Sequence, residues 1–200
     1  RILAADAAGR FWTYAELPGA HQPNDIAIAP DGTLYASDPD WKNGSGRIWR
    51  IERNGKAQIL EDGMGTTNGI EVSPDGRRLY VGESVQRRIW VYDIGTDGTL
   101  SGKRLFARFA DHGLDGMRCD RDGNLYVTRH GGGLVAILAP DGTTLREVRL
   151  KGQLPSNIAS GGRDGRTVYV TVQDRGAIET FRSARPGREY RGTIHRGTAR

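Results

Sequence analysis

The 200-residue chain carries 29 Lys and Arg against 24 Asp and Glu, giving a formal net charge of +5 and a pI near 9.6. Its arginines are scattered singly or in pairs (Arg77-Arg78, Arg87-Arg88) with acidic residues between them, which describes a solvated surface rather than a nucleic-acid face. No apolar run approaches the roughly 18 residues that cross a bilayer, no secretory signal is visible, and the single Cys119 excludes an intrachain disulfide and a thiolate metal cluster. The expectation is a soluble protein, cytoplasmic or periplasmic, with neither nucleic acid nor membrane as partner; the oligomeric state is open.

In chain order, the spacing of apolar residues and turn signals predicts strands almost throughout. Residues 1–20 read as two strands, Ile2–Ala5 and Arg10–Glu16, around Gly9. The next unit starts at His21-Gln22-Pro23-Asn24 and holds a strand at 25–29, the turn Pro30-Asp31-Gly32, a strand at 33–37, and two more after an Asp/Asn/Gly-rich loop. The unit from Gly65 repeats that order around Pro74-Asp75-Gly76, and the unit from His112 repeats it around Asp122-Gly123. In the last unit, Asp164-Gly165 separates two strands, a third covers 177–182, and the outermost one is unclear. Residues 188–200 read as a polar, mobile tail after a domain covering 1–187.

The turn aspartates Asp31, Asp75, Asp122 and Asp164 are 44, 47 and 42 residues apart. A period of about 40–45 residues with four strands per unit is the signature of an all-β β-propeller, in which each unit is one blade. Trp49 and Trp90, in matching third strands, read as inter-blade packing. About four and a half blades are present. Propellers close on themselves to hide sheet edges, so the expectation is the C-terminal part of a longer protein, with an open or assembled propeller as the alternative.

Seven residues before each turn aspartate stand Asn24, Asn68, Asp115 and Asn157. The first strand of a blade lines the central channel, so pseudo-rotation brings equivalent residues together at one mouth. Their amide and carboxylate oxygens are hard ligands suited to Ca²⁺, Mg²⁺ or Mn²⁺. The competing reading is that Asn and Asp before a strand satisfy turn backbone, and Asn157 is the weakest member of the ring. His21, His112 and His130 fall in loops near the same mouth, where a histidine binds substrate or is simply solvated; His195 lies in the tail. No serine stands in a nucleophile elbow, and Gly131-Gly132-Gly133 precedes a strand, so it reads as a hairpin turn and not a phosphate loop.

The segments PNDIAIAPDGTLYASDP, TTNGIEVSPDGRRLYVGES, GLDGMRCDRDGNLYVTRHGGG and PSNIASGGRDGRTVYVT, in this order and spacing, resemble the SMP-30/gluconolactonase/luciferin-regenerating-like family. The resemblance runs from about residue 1 to Glu189-Tyr190. It implies a six-bladed propeller that hydrolyses a sugar lactone at one divalent cation, usually Ca²⁺, with Zn²⁺, Mn²⁺ or Mg²⁺ in some members. By motif it implies Asn68 as metal ligand, Asp115 as ligand and general base, and Asn24 as a contact to substrate or metal-bound water. Gln22 stands where family sugar-lactonases often carry arginine, and with His130 it is a candidate substrate contact. The family's remaining ligand is a glutamate in a first blade that is expected upstream of Arg1. A non-catalytic binding propeller, or an inactive fragment of the enzyme, remains the alternative.

Overall fold

The computed structural model describes residues 1–191, so most of the predicted tail, His195 included, lies outside the described residues. The chain is a fan of antiparallel sheets. β1 (Ile2–Ala5) and β2 (Phe11–Ala15) form a two-stranded half-blade. Blade I is β3 (Ile26–Ile28), β4 (Leu34–Asp40), β5 (Ser45–Ile51) and β6 (Ala57–Met64). Blade II is β7 (Thr67–Val72), β8 (Arg78–Glu83), β9 (Arg88–Ile94) and β10 (Leu100–Arg108). Blade III is β11 (Met117–Cys119), β12 (Leu125–Arg129), β13 (Leu134–Leu138) and β14 (Thr144–Arg149). Blade IV has three strands, β15 (Pro155–Gly161), β16 (Thr167–Val172) and β17 (Ala177–Arg182). The inner strands β3, β7, β11 and β15 touch in succession around one axis.

Burial falls from the axis outward, and composition follows it. β7, β12 and β13 are buried along their whole length; of the three, β13 (LVAIL) is an unbroken apolar run, while β7 buries Asn68 and Glu71 and β12 buries Thr128 and Arg129. The outer strand β14 buries only Val148. The core is correspondingly divided into layers between neighbouring blades. Tyr35, Ile48, Ile70, Val81 and Tyr92 join blades I and II; Tyr80, Leu114, Met117 and Val127 join II and III; Tyr126, Val135, Val168 and Val170 join III and IV. Trp49 is buried with Ile2, Ala15 and Leu17 between the half-blade and blade I, and its Nε1 donates to Asp38. Trp90, its counterpart, is only partly buried, with Arg88 and Lys103 over its ring.

The hairpin turns work differently from the simplest expectation for Asp-Gly. Positive φ is confined to the glycine, as at Gly32 (89°) and Gly76 (73°). The aspartate instead accepts a backbone N–H two residues on, from Thr33 to Asp31 and from Arg77 to Asp75. In blade III this role passes to Asp120, which accepts the N–H groups of Asp122 and Asn124.

The start of the predicted tail is docked, not mobile. Gly187 bridges to Asp120, the Arg188 N–H donates to the Cys119 carbonyl, and the Tyr190 hydroxyl donates to the Arg163 carbonyl. The Arg188 side chain turns inward between the inner strands, donating to the Ile28 carbonyl at 3.0 Å and lying 2.5 Å from the Glu71 carboxylate. Glu71 is fully buried, and nothing in the strand pattern signalled that Arg188 would reach it.

Candidate active site at the channel mouth

The mouth is built where the inner strands begin. Asn68 and Asp115 are each followed by glycine, and the reason is steric. A Cβ on Gly69 would fall on the Asp115 carbonyl oxygen, and a Cβ on Gly116 would fall on the Asn157 side chain. These two glycines let consecutive inner strands converge closely enough for their ring residues to share one site. Gly69→Ala is therefore expected to lower stability by about 1–3 kcal/mol, since backbone must move to accommodate the methyl. Thermal unfolding would check it, and an unchanged midpoint would contradict this packing.

Asn68 is 4% exposed. Its Nδ2 donates to the Leu114 carbonyl at 3.4 Å, while its Oδ1 is buried without a hydrogen-bond partner. Buried polar atoms are nearly always satisfied, and this oxygen is left with room for a partner. Beside it, burial pushes the Asp115 carboxyl up to about 6, with the charge on His130 and the Asn68 side chain pulling the other way and Asp25 adding to the rise. Arg129, buried against the Phe109 ring and donating to the carbonyl of Asp111, fixes the loop leading into Asp115.

The other ring positions are engaged differently. Asn157 Oδ1 already accepts the Ile158 N–H at 2.8 Å, so its oxygen is spent on its own turn. The Asn24 side chain is exposed, and it is the following residue, Asp25, that is buried. The Asp25 carboxylate accepts the N–H groups of Ile26 and Ile70 and faces Arg118 at 3.5 Å. Gln22 and His21 lie exposed on the rim with their N–H groups held by Asp38. The His112 ring lies along the Gly131–Gly133 turn, with its Nε2 3.6 Å from Asp111, and so packs as a loop residue. His130 Nε2 is 3.3 Å from Gln173 Oε1.

Whether these residues fit a divalent cation turns on the donor set. Among the described residues no three His, Cys, Asp and Glu side chains gather in one place. The mouth instead offers one carboxylate and an unsatisfied amide oxygen, both hard donors, which fit a cation of the Ca²⁺ type.

Sequence reasoning missed Asp25, although it completes the Asn-Asp pair, because a strand-start aspartate carries no mark of facing the axis. Deeper along the inner strands it also missed a series of alternating charges: Asp25, Arg118, Glu71 and Arg188. Burial pushes the Glu71 carboxyl up to about 8 against the pull of Arg188 and Arg118. A cavity of about 520 Å³ opens there, at the end of the strands opposite the mouth, between Ile28, Pro30 and Pro74.

Residues 2–174 match the SMP-30/Gluconolactonase/LRE-like region, most of the chain. The chain belongs to that family. Among relatives, the gluconolactonase of Zymomonas mobilis is 30% identical over 174 residues, which is 76% of this chain and 48% of that protein. The 6-deoxy-6-sulfogluconolactonase of Pseudomonas putida is 31% identical over 154 residues, covering 74% of this chain and 53% of its own. The solved structure of a calcium-binding protein, regucalcin, from Agrobacterium tumefaciens superposes with a TM-score of 0.77 at 26% identity, over 84% of this chain and 60% of that one. The chain thus spans about half the length of the curated relatives it matches. As a family member it has the propeller fold read from its repeats, and its relatives carry the names of lactonases.

Proposed function

We propose that the channel mouth hydrolyses a sugar lactone with the help of one divalent cation. The observation that carries this reading is the buried, unpartnered Oδ1 of Asn68 beside the Asp115 carboxyl, whose acidity burial has moved to about 6. Asn68 Oδ1 and the Asp115 carboxylate would hold the cation, most readily Ca²⁺, with Zn²⁺, Mg²⁺ or Mn²⁺ as substitutes. Asn24 would add a contact from the rim, and the family resemblance implies a glutamate as a further ligand. Once bound, the cation supplies electrophilic polarisation of a carbonyl and stabilises developing negative charge.

Asp115 would take a proton from the attacking water as the water oxygen bonds to the lactone carbonyl carbon. The ring C–O bond then breaks, the ring oxygen is protonated, and the open hydroxy acid is released. A base with an acidity near 6 is ionised at neutral pH and still strong enough to accept a proton. The exposed polar groups of Gln22, Asn24 and His130 suit the ring hydroxyls of a small polyhydroxylated substrate.

Hydrolysis of δ-gluconolactone, followed by acid release, tests the reading. A chelator should abolish the activity and added Ca²⁺ restore it, with the cation also raising the melting temperature of the protein. Hydrolysis that continues undiminished in chelator would overturn the cation-dependent mechanism.

A further inference from the structure

Behind His130 lies an arrangement that the roles given above do not use. The Gly131 and Gly133 N–H groups both donate to the Gln153 carbonyl, at 2.9 and 3.1 Å. The N–H groups of Gln153 and Leu154 in turn donate to the Asp174 carboxylate, at 2.8 and 3.0 Å. The Gln173 N–H donates to the Leu154 carbonyl at 2.9 Å, and Gln173 opens a 3-10 turn, Gln173–Arg175, closed by Gly176. The backbone on both sides of the His130–Gln173 contact is therefore tied to one short segment, 153–154. His130 is also fixed from the blade side, since its carbonyl accepts the Gly113 N–H two residues before Asp115. Two exposed polar side chains on a rim normally wander; these two hang from a braced frame.

With Gln173 presenting Oε1, which only accepts, the 3.3 Å contact is a hydrogen bond when His130 Nε2 carries the proton. In neutral imidazole the other nitrogen, Nδ1, is then an acceptor. We infer that Gln173 is a positioning residue that locks His130 in the Nε2–H tautomer, so that Nδ1 receives a hydroxyl of the substrate at the mouth. The pair would then be a specificity element for polyhydroxylated lactones, dispensable for an unsubstituted one. This rests on the lactonase reading for its substrate but not for its geometry.

The experiment uses two readouts on the whole protein and its Gln173→Leu variant. Long-range ¹H–¹⁵N spectra of the imidazoles should show His130 as a single Nε2–H tautomer in the wild type and as a mixture in the variant. A His130 protonated at Nδ1, or one averaged equally in both proteins, overturns the proposal. Kinetically, Gln173→Leu should raise KM for δ-gluconolactone about tenfold, the loss expected for one hydroxyl contact, with kcat little changed. KM for δ-valerolactone, which has no ring hydroxyls, should not move; an equal loss on both lactones overturns the specificity role. If the wild type hydrolyses neither lactone, the functional reading fails, and the tautomer alone decides the role of Gln173.

Discussion

Asp115→Asn is expected to cost activity and add stability at once. The variant keeps the shape of the side chain but cannot accept a proton, so lactone hydrolysis should fall by roughly 10²–10⁴-fold, the usual contribution of a general base. Stability should move the other way. The folded acidity of Asp115 lies at about 6 against an ordinary 3.8, so the folded protein holds this proton more tightly than the unfolded chain. Its contribution to stability is complete below pH 3.8 and drains away as pH rises through 6. At pH 8, without cation, the wild type carries an ionised and poorly solvated carboxylate that the amide replaces at no charge, which makes the variant more stable by about 3 kcal/mol, the shift from 3.8 to about 6 converted to free energy. Chemical denaturation in chelator at pH 8 and at pH 4.5 measures this, with the difference shrinking at the lower value. Hydrolysis by the wild type should fall on the acid side at pH 6 or below, because a bound cation draws the carboxyl downward. A variant that is less stable at pH 8 and still active would show Asp115 to be an ordinary structural aspartate. Opposed effects on activity and stability are the mark of a group held in place for chemistry.

Arg188→Met should be the most damaging single substitution away from the mouth. Glu71 is fully buried, and Arg188 is its nearer cation, at 2.5 Å against 3.5 Å for Arg118. Removing one partner of a buried pair costs about 3–5 kcal/mol when the remaining charge stays ionised. Glu71 has a way out below pH 8, where it can hold a proton and the cost drops to that of a buried neutral carboxyl, about 1–3 kcal/mol. The raised pKa fixes the sign: from 4.5 in the unfolded chain to about 8 folded, Glu71 favours the fold at low pH and loses that contribution as pH climbs through 8. The variant should therefore melt a few degrees below wild type at pH 6 and much further below it at pH 9. A gap that is the same at both values would mean that Arg188 contributes packing only.

The blades were legible because they repeat. Glycine-marked turns at a steady spacing set the strand boundaries, and apolar runs such as Leu134–Leu138 announced strands buried on both faces. The register of the repeats singled out Asn68 and Asp115, and the structure brings their side chains together, with the glycine after each admitting its neighbour. Register alone could not tell ring members apart. Asn157 stands in the same position as Asn68, yet its oxygen is consumed by the next N–H, a distinction set by local backbone and invisible in residue type. The charges below the mouth were illegible for a different reason. Glu71 and Arg118 sit in strands that look ordinary, and Arg188 belongs to a stretch that reads as surface. Their pairing joins residues 117 and 47 positions apart in sequence.

The Arg188 contact with the Ile28 carbonyl spans 160 residues, whereas the core layers join blades that follow one another in the chain. Packing between successive blades therefore needs only short loops to close, whereas the Arg188 contact closes a long one. The Arg188 side chain cannot take its place until blades I, II and III all stand around it. It is placed as a clasp, and a chain ending before it should hold its blades yet open at that end, with faster amide exchange along the inner strands β3 and β11, whose Ile28 and Cys119 carbonyls lose their Arg188 donors.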